Sequence, residues 1–338
     1  LILSSDRCNH ENIIIKETKF VKDKMRRILI PQASIWNLYR LVNLLGDKRI
    51  ADYNSEQTVL QPHAIYLFGN HKRADGHSMQ SIADEQGAYH TPPRQVTWLA
   101  RAFPSPYYYS QFLYHVFRYS AQAQRGQYDD EAWWRSSLVC LLALETVGAT
   151  ISITGLHHLA ATPGPCVIIA NHMSTLETIC LPGVVQPYKD CTFIVKRGIV
   201  EYPVFKHIMR ARDPIVVDRA NPREDLKVVL ERGEQILAGG RSVIVFPQTT
   251  RAVRFDPEQF NTIGVKLARR ADVPVVPLAL QTDAWGIGTL VKEFGRIDPA
   301  KPVRMAFGPP LLIESRGNAE HAQIIDFIQR QLHAWQML

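Results

Sequence analysis

The chain has 338 residues, 46% hydrophobic and 21% charged, with a net charge of +7 at pH 7. That balance excludes a disordered or fibrous chain, and the length suffices for one large α/β domain with an extension. No run reaches the roughly 18 apolar residues that span a bilayer, and Leu1-Ile2-Leu3 passes at once into polar residues, unlike a secretion signal.

Residues 1–90 sustain little periodicity. They hold an apolar run at Ile13-Ile14-Ile15, a helical pattern from Ile35 to Leu45 and a polar stretch around Gly69 to Gly87. No function is assigned to this extension, and disorder is expected in part of it. Residues 91–149 form an aromatic-rich helical segment. Trp98, Phe103, Tyr107, Tyr108, Tyr109, Phe112, Tyr114 and Phe117 come first. Asp129-Asp130 then offers a cap for a helix carrying Trp133, Trp134, Leu138, Leu141, Leu142 and Leu144. A packed helical pair is the first expectation. A platform dipping into a lipid interface, where Trp and Tyr are favoured, is compatible with it.

From residue 150 to 338, β-branched runs alternate with helical patterns. Strands are expected at Ile151–Thr154, Cys166–Ala170, Thr192–Val195, Pro214–Val217, Ser242–Phe246, Val275–Leu280 and Val303–Phe307. Helices are expected at Ser174–Val185, Tyr202–Ala211, Arg223–Ala238, Thr262–Ala271 and Glu320–Trp335. Strands apolar on both faces, alternating with helices, predict an α/β fold with a largely parallel central sheet flanked by helices. The five cysteines (Cys8, Cys140, Cys166, Cys180, Cys191) lack ligand-like spacing, so buried free thiols are expected rather than a zinc site or disulfides.

Two segments carry chemistry. Cys166-Val-Ile-Ile-Ala170 runs into Asn171-His172-Met173-Ser174-Thr175-Leu176-Glu177, with Ser174 or Thr175 as the expected helix cap. This puts His172 at a strand's carboxyl end, where open α/β sheets build their sites. Glu177 is placed to fix its tautomer and stabilise the imidazolium when His172 accepts a proton. The pair alone is weak evidence, because about one His with an acid five residues on is expected by chance. His321 and Asp326 share the spacing in an ordinary amphipathic helix pattern. The second segment is Val243-Ile-Val-Phe246 followed by Pro247-Gln248-Thr249-Thr250-Arg251. An Arg just past a strand end suits bidentate binding of phosphate or carboxylate.

Together these blocks resemble the glycerophosphate/lysophosphatidate acyltransferase superfamily, whose members carry Asn-His-x4-Asp and, some 70 residues on, Phe-Pro-Glu-Gly-Thr-Arg. Here Glu177 stands for the Asp, Gln248 for the Glu and Thr249 for the Gly. Phe193-Ile-Val-Lys196, Pro203-Val-Phe205 and Ile215-Val-Val-Asp218-Arg219 resemble the middle block, and Val275-Val276-Pro277 the fourth.

The resemblance implies an O-acyltransferase working by direct transfer in phospholipid biosynthesis. His172, paired with Glu177, deprotonates a lysophospholipid hydroxyl such as that of 1-acylglycerol-3-phosphate. The hydroxyl attacks the thioester of acyl-CoA or acyl-carrier protein, which serves as co-substrate; no cofactor or metal is expected. By similarity Arg251, Lys196 and Arg219 form the cationic pocket for the acceptor's phosphate, with Thr250, Gln248 and Asn171 also in the acceptor site. A local excess fits such a pocket: Thr192 to Arg254 holds twelve Lys/Arg against seven Asp/Glu. Membrane lipid is the expected partner, met peripherally at the cytoplasmic face, and nucleic acid is not, since no nucleic-acid motif is present. Gln248 and Thr249 leave open a different lipid acceptor, or a non-catalytic lipid binder on the same fold. The absent Gly-x-Ser-x-Gly and phosphate-loop patterns disfavour a serine hydrolase or a nucleotide-dependent enzyme.

Overall fold

The computed structural model describes residues 69–337 apart from 74–75, 203–204, 249 and 290. The apolar run at Ile13–Ile15, the helical pattern from Ile35 to Leu45 and Cys8 lie outside the described residues. A hairpin of β1 (Gly69–Lys72) and β2 (Ser78–Ser81) comes first. It is followed by β3 (Tyr89–His90), α1 (Trp98–Ala102), α2 (Pro104–Gln124) and α3 (Asp130–Thr146). Next come β4 (Ile151–Thr154), α4 (Leu156–Ala161), β5 (Val167–Ala170), α5 (Leu176–Val185), β6 (Cys191–Lys196), α6 (Arg197–Glu201) and α7 (Lys206–Ala211). Then follow β7 (Ile215–Val217), α8 (Pro222–Ala238), β8 (Ser242–Val245), α9 (Ile263–Ala271), β9 (Val275–Gln281), β10 (Val303–Phe307) and α10 (Asn318–Ala334).

Among the described residues the main sheet has eight strands in the order β3-β4-β10-β9-β5-β8-β6-β7. β3 on β4 and β10 on β9 are antiparallel, and every other pairing is parallel. This is the mixed, largely parallel sheet predicted from strands apolar on both faces. Val167, Ile169, Val243 and Val245 join Val229 and Ile236 of α8, Val265 and Leu267 of α9, and Ile324 and Ile328 of α10 in one buried cluster. Successive strand residues face opposite sides, so the equally buried Ile168 and Ile244 serve the other face.

Local chemistry sets the helix starts. Asp129 accepts the Ala132 N–H to cap α3 (2.8 Å), and Asn221 does the same for Arg223 at the start of α8 (3.1 Å), with Pro222 at its first position. One expectation is corrected: the helix expected over Tyr202–Ala211 begins only at Lys206 (α7), and the short α6 ends ahead of it at Glu201. Tyr202 is extended (φ −64°, ψ 123°) because it precedes Pro203, whose ring disfavours the helical region for the residue before it.

The aromatic segment is mostly core. Tyr108, Phe112, Trp133 and Trp134 are buried, whereas Trp98 and Phe103 are 71% and 56% exposed. Trp133 meets Phe193 of β6 edge-on at 6.2 Å. The Arg212 guanidinium lies 4.4 Å over the Trp133 ring and pairs with Asp130 at 2.5 Å. These contacts bind α3 to the sheet.

Candidate active site

β5, β8, β6 and β7 are parallel neighbours, so their carboxyl ends share one edge. Asn171-His172, the Pro247–Arg251 turn, Lys196 and Asp218-Arg219 all leave the sheet there. The turn is closed onto β5 by the Ala252 N–H, which donates to the His172 carbonyl at 2.9 Å.

Glu177, in the first turn of α5, is fully buried. Its Oε2 faces His172 Nδ1. Its Oε1 accepts the N–H groups of Met173 (2.7 Å) and Ser174 (3.0 Å) and the Thr282 hydroxyl. Against an acceptor-only carboxylate, His172 Nδ1 is the donor, which leaves Nε2 as the ring's free acceptor. The imidazole also stacks on Phe246, with centroids 4.4 Å apart and planes 20° off parallel. Two contacts therefore fix the ring: one sets its proton, the other its plane.

Of the two expected caps, Ser174 makes a bond to the helix start and Thr175 does not. Thr175 takes the N-cap position in helical geometry and makes no capping bond. Glu177 itself satisfies the two N–H groups ahead of the helix, and Ser174 Oγ accepts from Leu176 at 3.2 Å. Thr175 Oγ1 is instead the partner of Arg251 Nη1.

The remaining candidates divide. Asn171 is held within the sheet. Its amide donates to the Leu280 carbonyl (2.9 Å) and accepts the Leu280 N–H (2.8 Å), and the residue is 1% exposed, so it clamps β5 to β9. Gln248 is likewise buried, and its Oε1 accepts the His172 N–H at 2.7 Å. A glutamate offers the same oxygen, so the exchange to Gln keeps this backbone contact. Arg251 reaches the start of α5 through Thr175 and pairs with Glu293 at 3.2 Å. Lys196, Arg219 and Thr250 are exposed on the shared edge. Arg219 follows β7 at φ 61°, and Asp225 accepts the N–H groups of Asp218 and Arg219 at 3.0 and 2.9 Å. Thr249, Pro203 and Val204 lie outside the described residues. The matched spacing at His321 and Asp326 forms no such pair, since Asp326 bridges to Arg330 and His321 stacks on Phe260.

Two contributors carried no sequence signal. Thr282 reaches Glu177 from 105 residues away. Glu293 lies in an irregular hairpin with no periodicity, closed by a bridge between Trp285 and Ile297.

The described family of acyltransferases matches residues 150–281, which contain His172, Glu177 and Arg251. A 1-acyl-sn-glycerol-3-phosphate acyltransferase of Pseudomonas aeruginosa is 28% identical over 188 residues, covering 56% of this chain and 68% of that protein. Residues 150–281 are thus an acyltransferase-family domain. With that domain, the protein is an O-acyltransferase. A chloroplastic 1-acyl-sn-glycerol-3-phosphate acyltransferase, BAT2, of Brassica napus is 34% identical over 128 residues, 38% of this chain and 36% of its own length. This acyltransferase thus spans only about a third of that relative. The crystal structure of the 1-acyl-sn-glycerophosphate (LPA) acyltransferase PlsC from Thermotoga maritima superposes with a TM-score of 0.52 at 17% identity. It covers 69% of this chain and 94% of its own, which supports the fold.

Proposed function

We propose that the enzyme moves a fatty acyl group from acyl-CoA or acyl-carrier protein to the hydroxyl of a lysophospholipid, with 1-acylglycerol-3-phosphate as the acceptor, in phospholipid biosynthesis. The observation that carries this reading is the four-donor seat of Glu177, which holds His172 with Nε2 free. His172 Nε2 takes the acceptor's proton as the hydroxyl attacks the thioester carbonyl. The carbon–sulfur bond then breaks, and the imidazolium protonates the departing thiolate. Glu177 stabilises the transient imidazolium, and the Phe246 face adds a cation–π contact of about 0.5–2 kcal/mol. Arg251 binds the acceptor phosphate beside the start of α5, with Lys196 and Arg219 adding positive potential along the edge. The reaction requires no cofactor, because the donor thioester is already activated.

The acceptor and product are lipids, so contact with the cytoplasmic face of a membrane, made peripherally, belongs to the same reading. The exposed Trp98 and Phe103 supply apolar anchors for it. Among the described residues no helix is long and apolar enough to cross a bilayer. The test is transfer of labelled acyl-CoA to lysophosphatidate by wild type and His172→Ala. Transfer that is lost in the variant supports the assignment. Transfer that persists overturns the role of His172, and none from wild type with either donor overturns the acceptor.

A further inference from the structure

Arg251, the cation assigned above to the acceptor phosphate, already has an anion. Glu293 Oε1 lies 3.2 Å from Arg251 Nη2, while Nη1 is held by Thr175 Oγ1. The two side chains differ in freedom: Arg251 is 19% exposed and Glu293 46%.

The backbone beneath Glu293 is fixed. Its carbonyl accepts the indole N–H of the buried Trp285 at 2.9 Å, and Gly286 N–H donates to the Arg296 carbonyl at 2.9 Å across the hairpin. Tyr109 of α2 donates its hydroxyl to the Gly295 carbonyl at 2.6 Å. At Gly295 a Cβ would stand 1.8 Å from the Gly286 carbonyl oxygen, so the two strands of the hairpin approach as only glycine allows. A pinned main chain with a half-exposed carboxylate lets the side chain leave by rotation alone.

We infer that Glu293 is a displaceable internal anion that occupies the phosphate position on Arg251 and sets the affinity for the acceptor. This deepens the proposed function and rests on its assignment of Arg251. In the empty site Glu293 keeps the guanidinium paired and aimed. An incoming phosphate, which makes the same charge-assisted contacts with more oxygens, replaces it, and the carboxylate turns to solvent. Glu293 is therefore a specificity-determining residue that raises the acceptor's KM without touching the reacting atoms.

The test uses the full chain. Inorganic phosphate is titrated calorimetrically into wild type, Glu293→Gln, Arg251→Met and the double variant, and acceptor kinetics are measured with lysophosphatidate. Removing a partly exposed competing charge is expected to tighten phosphate by about fivefold, equal to about 1 kcal/mol. The acceptor KM should fall by a similar factor while kcat stays within about twofold. Both gains should vanish in the Arg251→Met background. Phosphate affinity that is unchanged or weaker in Glu293→Gln, or an equal gain without Arg251, overturns the inference. Because Glu293 holds Trp285 through its main chain, the Gln variant keeps the hairpin, and a thermal melt verifies this. If wild type acylates no lysophosphatidate the proposed acceptor fails, and the phosphate titration still decides the role of Glu293.

Discussion

Replacing Glu177 with Gln exchanges one oxygen for an amide nitrogen and turns an acceptor into a donor. Three donors converge on Oε1, from Met173, Ser174 and Thr282. The amide nitrogen cannot face them without opposing all three, so it must face His172 Nδ1. Nδ1 then accepts, the ring proton moves to Nε2, and the base is lost. The same tautomer error in a serine-protease triad costs about ten-thousand-fold in kcat, or about 5.5 kcal/mol on the barrier. Stability should suffer less. The three Oε1 contacts survive and lose only their charge assistance, about 1–2 kcal/mol in all. Steady-state kcat with long-chain acyl-CoA and lysophosphatidate, measured beside a urea unfolding curve, separates the two effects. E177Q that keeps more than about a tenth of wild-type kcat refutes the tautomer argument.

Asn171→Ala leaves both Leu280 backbone groups buried and unpartnered; a loss of about 2–4 kcal/mol in urea unfolding is expected, with the acceptor KM unchanged. Gly183→Ala would set a Cβ 2.6 Å from the Leu138 N of α3; the expected cost is about 1–3 kcal/mol, read as a lower denaturation midpoint. His115 is held neutral chiefly by burial and secondarily by the Arg118 charge, which lowers its pKa to about 4 from 6.5. The unfolded chain binds the proton first, so the contribution of His115 is constant above about pH 6.5 and falls as pH drops toward 4, by about 3 kcal/mol over that window. His115→Gln should lose less of its stability between pH 7.5 and pH 4.5, as measured by urea midpoints.

The sheet was legible because its strands announce themselves. Val167–Ala170 and Ser242–Val245 are buried at every position, and such runs bounded by helix patterns have few other solutions. The His172–Glu177 pair was legible as a spacing, and the same spacing at His321 shows why spacing alone was not enough. What escaped depends on chain segments far apart in sequence. The pairing of Asn171 with Leu280 and of Gln248 with the His172 N–H is fixed only once β5 has taken its place between β9 and β8. Asn171 and Gln248, read from the motif as acceptor contacts, also brace the strand that carries the base. Glu293 was invisible because its segment obeys no period; its place is set by Trp285 packing against Tyr108 and Phe112.

The position of β10 has a wider consequence. It is the last strand among the described residues, yet it lies between β4 and β9, so residues 150–281 alone would leave β4 cut off from the rest of their own sheet. Without α3 they would also lose Asp130 and Trp133, the partners that hold Arg212. The stretch shared across the family is a unit of descent, whereas the unit of folding begins before it and closes after it. Swapping acceptor preference between relatives by exchanging that stretch alone would divide a sheet, and crossover points are better placed ahead of β3 and beyond α10.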